Sequence, residues 1–371
     1  MFLKLSCYNF IESMDRPLRV AINGFGRIGR VLTRVAKENY DGAYEIVLIN
    51  DPGISLENAA YLLKYDTTYG RYDGDVSYKS SKERVGDFLS EGKLVVDNEE
   101  IFYFALSEGK ERPARLPYKA LGVDVVVESS GLFRDPEQAM SHIESGADYV
   151  IVTAPFKGKA DPSKTFTIIM RINEEKLDLG RHKIISPGSC TTNALIPMIY
   201  VLENEFGIKR GFMTTVHAYT RDQQLVDGPH KDMARGRAAA QNIVITKTGA
   251  AGLIGRIFPH LEGRLDGYAV RVPTITGSLV DLTVELGTPD LEPENLIDAF
   301  EEYSEGELNG ILDVSRYPIV SGDVIGDEHS CIIPSRYIKT KPVAKIFGFY
   351  DNEWGYVCRL NDLLKKLAEE L

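Results

Sequence analysis

Cysteine is scarce: Cys7, Cys190, Cys331 and Cys358 are the only four in 371 residues. They are scattered without C-x-x-C or zinc-type spacing, so no disulfide framework and no metal site are expected, and a reducing, cytoplasmic location is. The six histidines, at 142, 182, 217, 230, 260 and 329, form no H-E-x-x-H pattern either. No stretch approaches the ~20 apolar residues a membrane helix needs. Residues 1 to 13 are mildly apolar but broken by Lys4 and Asn9 with no small-residue cleavage site, so no signal peptide is expected and Met14 is an alternative start. Positive charge is short as well: 43 Lys+Arg against 54 Asp+Glu leaves a net charge of −11, which argues against nucleic acid or an anionic membrane as partner. Any phosphate must therefore be gripped locally. Internal repeats and low-complexity linkers are absent.

What is present describes a soluble globular chain, 43% hydrophobic and 26% charged, and long enough for two domains. Leu18 to Asn23 reads as a strand running into Gly24-Phe25-Gly26-Arg27-Ile28-Gly29, after which Ile28, Val31, Leu32 and Val35 have helical spacing. Strand, glycine turn and helix together make a dinucleotide-binding fingerprint, because Gly24, Gly26 and Gly29 allow a tight turn and close approach of backbone N–H groups to a pyrophosphate. The next apolar run, Ile46 to Asn50, ends at Asp51, where a carboxylate accepts from an adenosine ribose and repels a 2′-phosphate. NAD, rather than NADP, is the expected cofactor. Val123 to Glu128 is a buried parallel strand by its apolar run, and strands at Tyr149 to Thr153 and Thr165 to Ile169 continue the alternation around a helix near Pro136 to Ser145.

A nucleophile follows. Ser189-Cys190-Thr191-Thr192-Asn193 comes after a short strand, Lys183 to Ser186, and a Pro187-Gly188 turn, and opens a helix with Leu195, Ile199 and Leu202 on one face. That places Cys190 at a helix N-terminus, where the macrodipole and unpaired N–H groups favour thiolate. Strand-like Gly211 to Ala218 delivers His217, a candidate proton acceptor for the sulfur. Longer strands at Gly277 to Leu286 and Val343 to Tyr350 are of antiparallel type, and Trp354 to Leu371 has amphipathic helical spacing. The predicted fold class is α/β: a Rossmann NAD-binding domain plus an α+β catalytic domain with a mainly antiparallel sheet. Predicted bounds are an extension over 1–17, the NAD-binding domain over 18–189, the catalytic domain over 190–350, and a C-terminal helix over 351–371 that packs back on the first domain.

Gly24 to Gly29, Ser189 to Asn193, Thr215-Val216-His217-Ala218-Tyr219-Thr220, Thr248-Gly249-Ala250-Ala251, Arg271-Val272-Pro273-Thr274 and Tyr350-Asp351-Asn352-Glu353-Trp354-Gly355 together resemble phosphorylating glyceraldehyde-3-phosphate dehydrogenases, from about Leu18 to the C-terminus. The resemblance implies NAD-dependent oxidation of glyceraldehyde 3-phosphate to 1,3-bisphosphoglycerate in glycolysis or gluconeogenesis, through a Cys190 thioester, in a homotetramer. It puts the substrate phosphate on Thr220 and Arg271, and inorganic phosphate on Ser189, Thr191, Thr248 and Gly249, with Arg235 or Arg237 assisting. Cofactor phosphates fall to Arg27 and Ile28, the adenine side to Arg112 and Ser130, and the nicotinamide amide to Asn352. Three departures stand out: Pro187-Gly188 where the family usually has Asn-Ala, Ala194 in place of a second cysteine, and Gly252 where a lysine is usual. Gln223-Gln224 and Lys247 resemble erythrose-4-phosphate dehydrogenases, an alternative reading beside a non-catalytic NAD-binding scaffold. The charged loop from Thr220 to Asn242 is expected to be ordered by a neighbouring subunit.

Overall fold

The computed structural model describes residues 16–38 and 42–371, so Met14 and nearly all of the expected 1–17 extension lie outside the described residues. Its first half is built on β1 (Leu18–Asn23), an apolar strand whose Leu18, Val20, Ala21 and Ile22 are fully buried. The Gly24 turn then leads into α1 (Arg27–Glu38). In chain order the other strands of this sheet are β2 (Tyr44–Asn50), β3 (Val76–Lys79), β4 (Gly92–Val96), β5 (Glu99–Phe104), β6 (Val125–Glu128), β7 (Tyr149–Val152), β8 (Thr165–Thr167) and β9 (Ile184–Ser186). Their spatial order is β8-β9-β7-β6-β1-β2-β5-β4-β3. The seven strands from β8 to β5 pair in parallel, while β4 pairs antiparallel with both β5 and β3. Chain order reverses at β1, which is flanked by β2 and β6 in a register that sets Asn23 beside both Asn50 and Glu128. A crevice opens at such a switch point, outside the carboxyl ends of the strands.

The second sheet holds β10 (Ile208–Ala218), β11 (Val244–Lys247), β12 (Leu265–Val272), β13 (Ser278–Leu286), β14 (Leu312–Ser315), β15 (Cys331–Pro334) and β16 (Ala344–Tyr350), ordered β11-β12-β10-β13-β16-β15-β14. Antiparallel pairs are β10–β13, β11–β12, β13–β16 and β15–β16; β10–β12 and β14–β15 are parallel. One face of this sheet is covered by α2 (Cys190–Phe206), with Leu195, Ile199 and Leu202 fully buried, and this helix also meets α3 (Ala250–Ile257) and α4 (Pro293–Glu305). The last helix, α5 (Trp354–Glu370), lies on α1 and touches β2, where Tyr44 OH donates to Asn361 Oδ1 at 2.7 Å. No helix among the described residues is long and apolar enough to cross a membrane.

Candidate active site

Cys190 is the first residue of α2. After β9 the chain turns at Gly188, whose φ of +69° is left-handed, and Ser189 caps the helix by accepting from Thr192 N at 3.1 Å. Asn193 Nδ2 secures the turn by donating to Pro187 O at 2.7 Å and Ser189 O at 2.9 Å. The same stretch thus fixes the direction in which the sulfur leaves the helix end. His217 comes from the end of β10, and its Nε2 lies 3.4 Å from Cys190 Sγ. Parallel pairing of β10 with β12 sets Arg271 beside His217. Ala218 O is shared: His217 Nδ1 lies 2.7 Å from it and Arg271 Nη1 donates to it at 2.9 Å, with Nη1 2.8 Å from Nδ1. With Nδ1–H given to that carbonyl, Nε2 faces the thiol as an acceptor.

Burial pushes the Cys190 thiol above its ordinary range, opposed by the Arg271 cation and the Thr191 N–H. Burial, followed by Arg271, lowers His217 to about 3. Moving the thiol proton onto Nε2 instead creates two opposite charges in contact, whose sum is zero, on a helix N-terminus that favours the anion. The sulfur and the ring therefore titrate as a pair. Behind them stands Tyr350, 1% exposed, whose hydroxyl bonds Thr191 Oγ1 at 3.0 Å and Thr215 Oγ1 at 2.9 Å.

A crevice of about 420 Å³ lies at the switch point, lined among others by Gly24, Gly26, Asp51, Ser130 and Arg221. Gly24 has φ +99°, and a Cβ there would come within 2.4 Å of Ser130 N, so the turn is pressed against the one that follows β6. Gly29 would meet Gly24 O at 2.6 Å. Gly26 is different, for a Cβ there has nothing within 4 Å and would project into space that the protein's own packing leaves open. Asp51 is oriented by Phe25 N and Gly53 N, each donating at 2.8 Å. Ile28 packs its side chain against the core, and the first N–H groups of α1, which have no carbonyl partner within the helix, follow the glycine turn that lines the crevice. Asn352 accepts from Ser278 Oγ at 2.8 Å through Oδ1, and its Nδ2 has no partner among the described residues. Glycine turn, helix-end donors and acidic β2 terminus all fit a dinucleotide.

Two family models match the chain: the NAD binding domain of glyceraldehyde 3-phosphate dehydrogenase over residues 18–136 and the C-terminal domain of the same enzyme over 189–352. The chain belongs to the glyceraldehyde 3-phosphate dehydrogenase family. It is similar to the glyceraldehyde-3-phosphate dehydrogenases of Mycobacterium avium, 46% identical over 358 residues, and Mycobacterium leprae, 47% over 358 residues. Each alignment covers 95% of this chain and 99% of the relative. Glyceraldehyde-3-phosphate dehydrogenase 2 of Bacillus subtilis is 42% identical over 356 residues, 95% of this chain and 98% of that one. Membership makes the chain an NAD-dependent oxidoreductase.

Against the glyceraldehyde 3-phosphate dehydrogenase pattern, not every residue takes the place expected of it. Arg112 does not line the crevice: half exposed, it pairs with Glu108. Arg27 turns its guanidinium onto Asp66 and Glu353, tying α1 to the start of α5. Thr191 keeps its hydroxyl on Tyr350, and Thr248 Oγ1 accepts from Ala250 N at 3.2 Å at the head of α3, where Gly249 is the cap. Thr220 lines a neighbouring pocket of about 340 Å³ with Gly26 and Arg221. Of the two loop arginines, Arg235 is near enough to Arg271 to disfavour its charge, whereas Arg237 points outward on Asp227. Gly252 leaves open space where a lysine is usual. The 220–242 loop is bonded within itself: Arg235 pairs with Asp222 and Arg237 with Asp227, and Gly228 N donates to Gly236 O at 2.8 Å. Tyr350, Ser278 and Arg221 are site residues that the sequence did not single out; Tyr350 opens a motif that was recognisable, but its contacts come from α2 and β10.

Proposed function

We propose that the chain oxidises glyceraldehyde 3-phosphate with NAD and inorganic phosphate to give 1,3-bisphosphoglycerate. The observation that carries this reading is the 3.4 Å approach of Cys190 Sγ to His217 Nε2 at a helix N-terminus, with Arg271 beside the imidazole. Cys190 thiolate adds to the aldehyde carbon, and the His217 imidazolium gives its proton to the carbonyl oxygen. NAD, when bound, supplies the hydride acceptor. His217 Nε2 takes back the hydroxyl proton as the hydride leaves, and Cys190 then carries the acyl group as a thioester. A phosphate oxygen attacks that carbon, the C–S bond breaks, and the thiolate returns to its place beside the imidazolium.

Arg271 and Thr220 grip the substrate phosphate, with Arg235 adding positive field. Ser189, Thr248, Gly249 and the helix-end N–H of Thr191 grip inorganic phosphate. Gly24, Gly26, Gly29 and the backbone of Arg27 and Ile28 receive the cofactor's diphosphate; Asp51 holds its ribose, Ser130 the adenine side and Asn352 the carboxamide. Division at 18–189, 190–350 and 351–371 follows the two sheets and the returning helix. Erythrose 4-phosphate is the less favoured substrate, since Gln224 Nε2 is held by Pro229 O at 3.3 Å inside the loop.

A cytoplasmic homotetramer is the proposed working form. The outer face of the second sheet supports association, exposing 68% of Ile245, 50% of Tyr268 and 42% of Phe212 on neighbouring strands, and the 220–242 loop exposes Leu225, Val226 and Met233. Sedimentation at micromolar concentration tests it, and a fully active species of about one chain mass would refute it. The activity itself is tested by NADH formation from glyceraldehyde 3-phosphate with and without phosphate or arsenate. Steady rates that do not depend on either anion would remove the phosphorylating assignment.

A further inference from the structure

Beneath the nucleotide crevice the ends of β1, β2 and β6 are joined by a buried polar chain. Glu128 is 2% exposed and its two oxygens receive four donors. Oε1 accepts from Ser130 N at 2.9 Å and from Ser130 Oγ; Oε2 accepts from Asn23 Nδ2 at 2.6 Å and lies 3.0 Å from His142 Nε2. His142, fully buried, sets its Nδ1 3.0 Å from the hydroxyl of Tyr118, also fully buried. On the other side Asn23 Oδ1 accepts from Asn50 Nδ2 at 2.9 Å, and Asn50 Oδ1 accepts from Leu106 N at 2.9 Å. Asn23, Asn50, Leu106 and Ser130 all line the crevice; Glu128, His142 and Tyr118 do not.

A carboxylate can only accept, so it dictates the orientation of everything bonded to it. Asn23 must turn its amide nitrogen to Glu128 and its oxygen to Asn50; Asn50 must then turn its oxygen to Leu106 N. The Ser130 hydroxyl proton is given to Glu128, so that oxygen meets the crevice as an acceptor. We propose that Glu128 is a positioning residue, which sets the hydrogen-bond polarity of the floor on which the adenosine half of NAD is held. His142 and Tyr118 hold the carboxylate in place from behind. The proposal rests on the assignment of this crevice to NAD.

Glu128→Gln keeps the shape and replaces one acceptor by a donor; at Oε1 the amide nitrogen would meet the Ser130 backbone N–H, which cannot turn away, so it takes the place of Oε2 and faces both His142 and Asn23. Facing His142, the new amide N–H is accommodated by the other imidazole tautomer, with Nδ1–H given to Tyr118. Facing Asn23 it is not: Asn23 must flip, Asn50 must follow, and Leu106 N loses its acceptor. Adding Asn23→Asp restores an acceptor toward both the amide at 128 and Asn50, whereas Asn23→Asp alone sets two carboxylates against each other.

The experiment is calorimetric binding of AMP, NAD and nicotinamide mononucleotide to the full chain and these three variants. Glu128→Gln is expected to raise Kd for AMP and NAD about tenfold, the scale of one buried hydrogen bond left unmade. Mononucleotide affinity and the rate of Cys190 alkylation stay at the wild-type level. The double variant recovers AMP affinity to within about threefold of wild type, less than the tenfold loss of the single variant. Equal AMP affinity in Glu128→Gln and wild type, a double variant no tighter than the single, or equal weakening of AMP and mononucleotide each overturns the proposal. Should Glu128→Gln not fold, the double variant is compared with Asn23→Asp: folding and AMP binding regained supports the proposal, and neither regained counts against it. A wild-type chain that fails to bind AMP would instead overturn the assignment of the crevice to NAD.

Discussion

Cys190 Sγ and His217 Nε2 lie 3.4 Å apart, joining the first turn of α2 to the end of β10. Burial disfavours the charge on either group; Arg271 and helix-end N–H groups oppose it at the sulfur, and a proton passed from Sγ to Nε2 would set two opposite charges in contact.

His217→Asn tests this coupling. The sulfur is left with burial raising its pKa, against Arg271, the Thr191 and Cys190 N–H groups and the Thr191 hydroxyl, so thiolate forms only as pH rises past the ordinary thiol range near ~8.5. Alkylation by iodoacetamide at pH 7 should be severalfold slower than in wild type, with the rate climbing to higher pH. NADH formation from the aldehyde should fall by about 10² to 10⁴, the usual contribution of a positioned acid–base group. An unchanged alkylation profile would show that His217 does not govern the thiol.

Gly24 and Gly26 separate packing from ligand. Gly26→Ala places a methyl in open space and should leave the thermal midpoint almost unchanged while weakening NAD binding at least tenfold, about 1.4 kcal/mol. Gly24→Ala puts a side chain at φ +99° and drives it into Ser130, so it should lose stability outright, by about 2 kcal/mol or more. Equal effects of the two on stability would contradict this division.

Tyr350→Phe should cost about 1–3 kcal/mol in a urea titration, because two buried threonine hydroxyls, Thr191 and Thr215, lose one shared partner. A change below the error of the titration would mean that the two hydroxyls pair elsewhere.

Local features of the site were legible in the chain, and the pairings between distant segments were not. Glycine spacing after an apolar strand, Asp51 at the next strand end and Ser189-Cys190 before an apolar helix face each follow from neighbouring residues, and each lies where that pattern puts it. Arg271 against His217 depends on β12 lying parallel to β10, a pairing that no local period encodes. Tyr350 reaches Thr191 and Thr215 for the same reason. In the 220–242 loop, charge suggested a segment unable to fix itself, yet the charges pair across the loop and close it. Arg112 sits in an irregular, half-exposed segment where it pairs with Glu108, so spacing could not place it.

The most direct measurement of the central claim is a rapid-mixing burst experiment without phosphate. Glyceraldehyde 3-phosphate and NAD in excess over sites should yield a burst of about one NADH per active site and then stop, with mass spectrometry finding the acyl group on the Cys190 peptide. Adding phosphate should release it and restart turnover, and Cys190→Ser should give no burst. Continuous NADH formation without phosphate, or a full burst in Cys190→Ser, would contradict the account.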